Sequence, residues 1–300
     1  MRATSVIFLI VAVVLVLVGI VTCTVGATLA EEQGIELFDT VSDADNNLIY
    51  TYNYAGEGIK KIAVNIGDAD VNVYGGSDAD YIELINFPQG VYDLSATNLT
   101  LSLVDNSSLL KIFSLGQNGF NFHGFRHFLH SLDFSEKSRT VNIYLTENSA
   151  VTLLDITLKT GNLTVKDVDR PFDLYGKLEA GDAVLENIST TSDVKLTLGT
   201  GSVKTEDVLC RALKLEAASA EVDLDTFCAE QSMEVKLTEG SVTFFPSRRE
   251  LNGYRVKLNA PAGRVSYFGE SVGSSYAVES TEDETRTFSL ETEKGNITVE

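Results

Sequence analysis

All three histidines of the chain lie within one short aromatic segment. If this segment is helical, a rotation of about 100° per residue places His123, His127 and His130 on one face. Phe125 and Phe128 then belong to the opposite, apolar face. Imidazoles grouped in this way could bind a metal ion or exchange protons near neutral pH.

The two faces of this segment suggest three roles. The phenylalanine face favours a lid that covers an open sheet edge, or an interaction helix. The histidine face would suit a metal ion, but no carboxylate or thiolate close in sequence completes a ligand set. Contact with a membrane surface is the third role, and it is weakened by the small number of basic residues. We therefore predict no metal and no cofactor here.

Cys210 and Cys228 lie 18 residues apart and could be joined by a disulfide. In a coil of about 20 residues they would fall in adjacent layers, about 4.8 Å apart, which a disulfide tolerates. An exported domain would also meet an oxidising environment. However, the two positions are out of register by one residue, and cysteine also serves as a small buried apolar residue. Both alternatives stay open.

Acidic pairs of the form Asp-Ala-Asp begin at Asp43, Asp68 and Asp78. Oxygen-rich loops of this kind can bind Ca²⁺. The first begins like an EF-hand loop, but Leu48 and Tyr54 stand where that loop needs glycine and glutamate. The pattern therefore favours solvated turns over a calcium site.

The remaining chemistry argues against catalysis. Nucleophilic catalysis needs a serine or cysteine beside a base, but the only histidines lie in the aromatic segment, and neither a nucleophile elbow nor a phosphate-binding glycine loop is present. The 23 basic and 43 acidic residues give a net charge of −20, which repels the phosphate backbone of nucleic acids. We expect a binding protein and not an enzyme, with a polysaccharide-acting enzyme as the less favoured possibility.

A sequence repeat supplies the elements that would position these side chains. Its turn glycines, Gly161, Gly181 and Gly201, recur at a constant spacing. Every unit has three alternating apolar residues, a small turn residue and two more alternating apolar residues, which predicts two short strands. One unit cannot bury its own apolar face, so we predict an all-β, single-stranded β-solenoid with coils of about 20 residues.

The repeat also predicts details of the stack. The turn favours glycine because positive φ costs it least, and Ala220 stands there in a unit that is one residue shorter. A further unit begins upstream near Ile62. In chain order, one inner column is expected to contain Leu154, Leu174, Val194, Leu213, Met233, Val256 and Phe288.

Residues 1–30 contain an apolar run long enough to cross about 30 Å of hydrocarbon as one helix. Arg2 before the run and Glu31 and Glu32 after it place the N-terminus in the cytoplasm and the rest outside. The small residues 25–27 would also suit signal cleavage, which would give a secreted protein. We expect a single-pass protein of the cell membrane with its C-terminal domain outside.

The sequence therefore divides into three parts. Residues 1–30 form a membrane anchor or signal segment, and residues 31–58 form a linker. Residues 59–300 form the solenoid domain, with an irregular, partly helical insertion at about 105–138.

The turns Thr160–Val165 and Gly295–Val299, together with the strand Val141–Leu145, carry a family resemblance. The chain resembles the bacterial putative-adhesin family of cell-envelope proteins, over roughly residues 59–300. The resemblance implies a repeat-built β-solenoid of unknown function and a surface or envelope role. Some relatives are similar to components of antimicrobial-peptide stress systems, and the family supplies no catalytic residues.

We therefore expect a membrane-anchored binding, adhesion or scaffolding module of the cell envelope. The alternative is an envelope-stress regulator that captures cationic peptides on its acidic surface. The outward column of Lys166, Glu186, Glu206 and Asp225 fits a solvated face, although its stacked acids could attract a cation or a basic peptide. The expected partners are the membrane and an envelope protein, polysaccharide or cationic peptide, and not nucleic acid.

Overall fold

The computed structural model describes residues 41–42 and 47–300, except 88–91, 106–114, 117–118, 121–137, 247–250, 252 and 281–285. The chain divides into two compact units, Met1–Ser42 and Asp43–Glu300. Within the first unit the description covers a single short strand. The second unit holds the stacked strands.

Alternation of buried apolar and outward polar residues makes the regular elements of the described ranges β-strands. Their bounds are β1 (Val41–Ser42), β2 (Leu48–Asn53), β3 (Lys61–Asp68), β4 (Asp70–Tyr74), β5 (Tyr81–Ile85), β6 (Tyr92–Thr97), β7 (Thr100–Asp105), β8 (Leu115–Gly116), β9 (Gly119–Phe120), β10 (Thr140–Tyr144), β11 (Leu153–Thr160), β12 (Leu163–Asp169), β13 (Asp173–Ala180), β14 (Ala183–Ser189), β15 (Asp193–Asp225), β16 (Phe227–Glu239), β17 (Val242–Phe245), β18 (Tyr254–Asn259), β19 (Val265–Tyr267), β20 (Glu270–Gly273), β21 (Ser275–Val278), β22 (Arg286–Lys294) and β23 (Ile297–Val299).

Each repeat unit contributes a strand to each of two stacked ladders. The first ladder has the order β6-β7-β3-β11-β13-β15-β16-β22-β18-β21, and the second has the order β2-β5-β10-β4-β12-β14-β15-β17-β23-β19-β20. Strand β15 takes part in both ladders because it continues around the corners of more than one coil. Pairing is parallel through the middle of each ladder and antiparallel at the ends.

The register confirms that successive units stack upon one another. Leu154 lies opposite Leu174, and Leu174 lies opposite Val194, so each step along the ladder is one repeat unit. These three side chains are at most 1% exposed, so the inner columns of the repeat form the apolar core. Residues that are one repeat unit apart therefore point to the same side of the core.

The corner glycines have the backbone conformation that the turn requires. Gly161, Gly181 and Gly201 have φ values of 127°, 144° and 146°. A Cβ atom on Gly201 would lie 1.8 Å from the carbonyl oxygen of Gly181, in the preceding coil. Glycine is needed here for close approach between coils as well as for its dihedral angle.

The C-terminal end of the stack differs from the predicted order. Phe288 lies opposite Met233 on one side and opposite Val256 on the other. The last unit of the chain, β22–β23, is thus inserted between the β16–β17 and β18–β19 layers. The prediction that the inner column follows chain order was wrong for its last two members, because the repeat pattern does not identify each strand's neighbours.

The N-terminal end shows the same inserted arrangement. Ile62 on β3 lies between Leu101 on β7 and Leu154 on β11. Antiparallel strands then cover both outer layers: β5 and β6 at this end, β20 and β21 at the other. These strands occupy the edges that a stack of parallel coils would otherwise leave unpaired.

Two sequence predictions lie largely outside the described residues. Among the residues that the structure describes, no helix is long and apolar enough to cross a membrane. The segment expected to do so, 1–30, is outside them. Within the insertion at 105–138, the description includes the short antiparallel pair β8–β9.

Candidate functional site

Two neighbouring strands present the same pair of side chains on the outer face of the second ladder. Strand β4 contains Asn72 and Tyr74, and strand β10 contains Asn142 and Tyr144, in each case alternating with buried aliphatic residues. The parallel register places Asn72 beside Asn142 and Tyr74 beside Tyr144. A repeated strand pattern thus produces two matched rows of outward side chains.

The antiparallel strand β5 extends both rows by one residue. Tyr81 lies opposite Tyr144, and Glu83 lies opposite Asn142. We call Tyr81, Tyr144 and Tyr74 the tyrosine row, and Glu83, Asn142 and Asn72 the amide row. All six side chains are half-buried, so part of each remains open to solvent.

The rings of the tyrosine row are stacked against one another. The centroids of Tyr81 and Tyr144 are 4.3 Å apart, with an angle of 15° between the ring planes. Those of Tyr144 and Tyr74 are 5.3 Å apart, at 28°. Because stacking covers the faces between the rings, the row presents mainly ring edges and hydroxyl groups to solvent.

Hydrogen bonds connect the two rows. The Tyr144 hydroxyl donates to Glu83 Oε2 at 3.2 Å, and Asn142 Nδ2 donates to the same oxygen at 3.4 Å. Asn72 Nδ2 in turn donates to Asn142 Oδ1 at 3.0 Å. The side chains are therefore held in fixed positions on rigid strands.

The surroundings of Tyr144 and Tyr81 favour the protonated form of these two phenols. Burial, followed by the neighbouring Glu83 carboxylate, raises the pKa of Tyr144 well above its ordinary value. The same two causes raise the pKa of Tyr81. Around neutral pH these hydroxyls act as hydrogen-bond donors and acceptors, and not as nucleophilic phenolates.

On the two strands that follow β4 in the second ladder, the positions equivalent to Tyr74 are occupied by charged residues. Lys166 lies opposite Tyr74, and its Nζ is 2.6 Å from Glu186 Oε2. The hydrogen bond to Glu186 raises the pKa of Lys166. The predicted column thus begins with an ion pair, and Glu206 follows beside Glu186.

The acidic pairs within the described residues bond to neighbouring chain segments. Asp70 Oδ1 accepts a hydrogen bond from the Asn162 backbone N–H at 2.9 Å, and Asp68 Oδ1 accepts one from the Thr160 hydroxyl at 3.1 Å. Asp80 is 9% exposed and accepts a hydrogen bond from the Thr146 N–H at 2.7 Å. Among the described residues, no group of acidic, histidine or cysteine side chains is arranged to hold a metal ion.

The two cysteines lie in adjacent coils as free thiols. Cys210 is opposite Ala229, and Cys228 is opposite Leu209, so the offset of one residue seen in the sequence persists in the structure. Burial raises the pKa of the Cys210 thiol to about 12. No bond joins the two sulfur atoms in the structure, and the disulfide stays a prediction.

The proposed lid or interaction helix, with His123, Phe125, His127, Phe128 and His130, lies outside the described residues. Its three suggested roles therefore stay predictions.

The tyrosine and amide rows were not identified from the sequence. A signal was present, because Val-Asn-Val-Tyr at 71–74 and Val-Asn-Ile-Tyr at 141–144 are nearly identical. The sequence did not reveal that these segments are adjacent in the sheet, because a long stretch of chain separates them. It also did not reveal that β5 pairs with β10 in an antiparallel direction.

Several solved structures are similar to this chain at low sequence identity. A putative cell adhesion protein from Clostridium sporogenes is 15% identical, covers 84% of this chain and 97% of its own, and has a TM-score of 0.38. A putative adhesin from Parabacteroides merdae is 10% identical, with coverages of 84% and 96% and a TM-score of 0.40. A putative lipid binding protein from Parabacteroides distasonis is 9% identical, with coverages of 85% and 98% and a TM-score of 0.34. Similarity at this level does not identify a ligand or an activity.

Comparison with curated proteins found no match. A family model does match, and it extends over residues 59–300, which include the stacked units and both rows of the candidate site. The chain therefore belongs to the Toastrack DUF4097 family.

Proposed function

We infer that this protein is a membrane-anchored β-solenoid outside the cytoplasm that works as a non-enzymatic binding or scaffolding module of the cell envelope. The apolar run in residues 1–30 would attach it, and the stacked domain would present its outer faces to the surroundings. Secretion after cleavage of the same run is the alternative for its attachment.

One observation carries the binding role. The tyrosine and amide rows place aromatic rings, amides and a carboxylate side by side on paired strands, where hydrogen bonds already fix them. Preorganised side chains lose little conformational freedom when a ligand binds, which favours affinity. Their protonated hydroxyls and amides are suited to recognition and supply no nucleophile.

Two measurements test this proposal. Protease added to intact cells should cleave the stacked domain, since the charges flanking the apolar run orient it outward. Purified full-length protein should also co-sediment with envelope fragments from its own cells. Complete protection in cells without an outer membrane would contradict the orientation, and protein remaining in the supernatant would contradict the binding role.

A second candidate is the capture of cationic peptides. It is favoured by the net charge of −20 and by Glu206, which follows the Lys166–Glu186 ion pair along the second ladder. Capture by charge should weaken sharply between low and physiological ionic strength, because salt screens exposed charges. Peptide binding that does not change with salt would exclude this mechanism.

A further inference from the structure

We propose that the tyrosine and amide rows bind a neutral, hydroxyl-rich glycan chain that lies along the stacking direction of the strands. This inference rests on the proposed binding function and specifies its ligand class and its site. It concerns the six side chains Tyr81, Tyr144, Tyr74, Glu83, Asn142 and Asn72.

The hydrogen-bonding groups match those of a sugar. A sugar hydroxyl both donates and accepts, so it suits a surface on which amides, phenols and a carboxylate alternate. The tyrosine edges add apolar contact for sugar C–H groups. Among the described residues, the Tyr74 hydroxyl and Asn72 Oδ1 have no hydrogen-bond partner, which leaves them available to a ligand.

The spacing of the rows suits a polymer. Equivalent side chains on neighbouring strands repeat about every 4.8 Å. This step is close to the advance of one hexose in an extended β-linked glycan. Successive sugars along the stack would therefore meet successive strands, and three strands would contact about three sugars.

The net charge of the protein favours a neutral polymer over an anionic one as the ligand. The net charge of −20 repels polyanions, including acidic polysaccharides. Lys166, the cation nearest to Tyr74 along the row, is already bound to Glu186 at 2.6 Å and so does not form an anion site. A neutral glycan avoids this repulsion and still uses the hydrogen-bonding groups.

The test uses purified full-length protein in a detergent that lacks a sugar headgroup. The probes are hexamers of β-1,4-linked glucose and of β-1,4-linked N-acetylglucosamine, with oligogalacturonate as the anionic counterpart. The chain contains no tryptophan, so tyrosine fluorescence can follow binding directly. We expect at least one neutral hexamer to bind more tightly than oligogalacturonate.

Variants then locate the site. Tyr81→Ala and Asn142→Ala should each weaken hexamer binding at least tenfold. Tyr175→Ala is the matched control, because Tyr175 is a 40% exposed tyrosine on the first ladder, and it should bind like the wild type. An equal loss in the control, or no binding of either neutral hexamer by the wild type, would overturn the proposal.

A measurement on the wild-type protein avoids dependence on variant folding. Hydroxyl-radical oxidation followed by mass spectrometry should show that a bound hexamer protects Tyr81 and Tyr144 but not Tyr175. Lack of this selective protection would refute the site. If the protein co-sediments with its own envelopes yet shows no hexamer protection, the glycan site fails and the proposed function stands; if it does neither, both fail.

Discussion

At the residue scale, the corner glycines show what a single position contributes to the stack. The sequence predicted glycine at this turn from its need for positive φ, and Gly161, Gly181 and Gly201 have φ values between 127° and 146°. The structure adds contact with the neighbouring coil, since a Cβ atom would lie within 2.0 Å of a carbonyl oxygen at each of these positions. Ala220 is not among the residues with positive φ, which agrees with its place in a shorter unit.

We expect Gly201→Ala to lower the free energy of unfolding by about 3 kcal/mol or more, because it combines an unfavourable φ with a clash against the Gly181 carbonyl. Urea denaturation measures this change. Ala220→Gly is the matched control at the equivalent turn, and it should cost about 1 kcal/mol or less. A Gly201→Ala protein as stable as the wild type would show that the coils separate easily at this corner.

A second residue-scale prediction concerns the cysteines. Burial raises the Cys210 pKa to about 12, so very little reactive thiolate forms at pH 8. If both thiols are free, as in the structure, an alkylating reagent should modify the half-buried Cys228 of the folded protein and spare Cys210. After denaturation without reductant, mass spectrometry decides between the alternatives: labelling of both cysteines would exclude the disulfide, and labelling of neither would support it.

At the element scale, the sequence predicted the coils better than it predicted their order. Period-two alternation and a constant repeat length determine which residues face the core and which positions lie opposite one another. Neither signal specifies which unit lies at an end of the stack, so the inserted position of β22 was missed. The tyrosine row was missed for a related reason, because β4, β5 and β10 come from separate parts of the chain.

The inserted position of β22 leads to a prediction. Leu290 is 0% exposed and lies between Val235 on β16 and Leu258 on β18, so Leu290→Ala should lower the free energy of unfolding by about 3 kcal/mol. The control Val278→Ala, on the covering strand β21, should cost about 1 kcal/mol or less because Val278 is 37% exposed.

Hydrogen exchange provides an independent check of the same arrangement. The amides of β22 are expected to exchange as slowly as those of β16, since both strands are paired on two sides. Rapid exchange confined to β22 would mean that it forms a frayed end of the stack, as the chain-order prediction implied.

At the scale of the whole molecule, stacking in register has an electrostatic consequence. Equivalent positions in adjacent coils lie side by side, so acidic residues that recur in the repeat become close neighbours. Ion pairs offset part of this repulsion. Those in the described part of the chain are Lys61–Asp155, Arg139–Asp105, Lys166–Glu186, Arg211–Asp193, Lys214–Glu216, Lys236–Glu234 and Arg255–Glu279. With a net charge of −20, repulsion between acidic side chains should exceed these attractions.

Salt should therefore stabilise the folded protein. The Debye length falls from about 30 Å at 0.01 M to about 3 Å at 1 M salt, so we expect the melting temperature to rise by several degrees over this range in NaCl.

Glu206→Gln should raise the melting temperature at low salt and have little effect at high salt, because Glu206 lies beside Glu186. Glu186→Gln is the matched control: it removes the partner of Lys166 as well as one acid, so its gain at low salt should be smaller. Calorimetry on the wild type and the two variants measures these melting temperatures. An equal rise in both variants, or a wild-type melting temperature that does not depend on salt, would show that repulsion along this column does not limit stability.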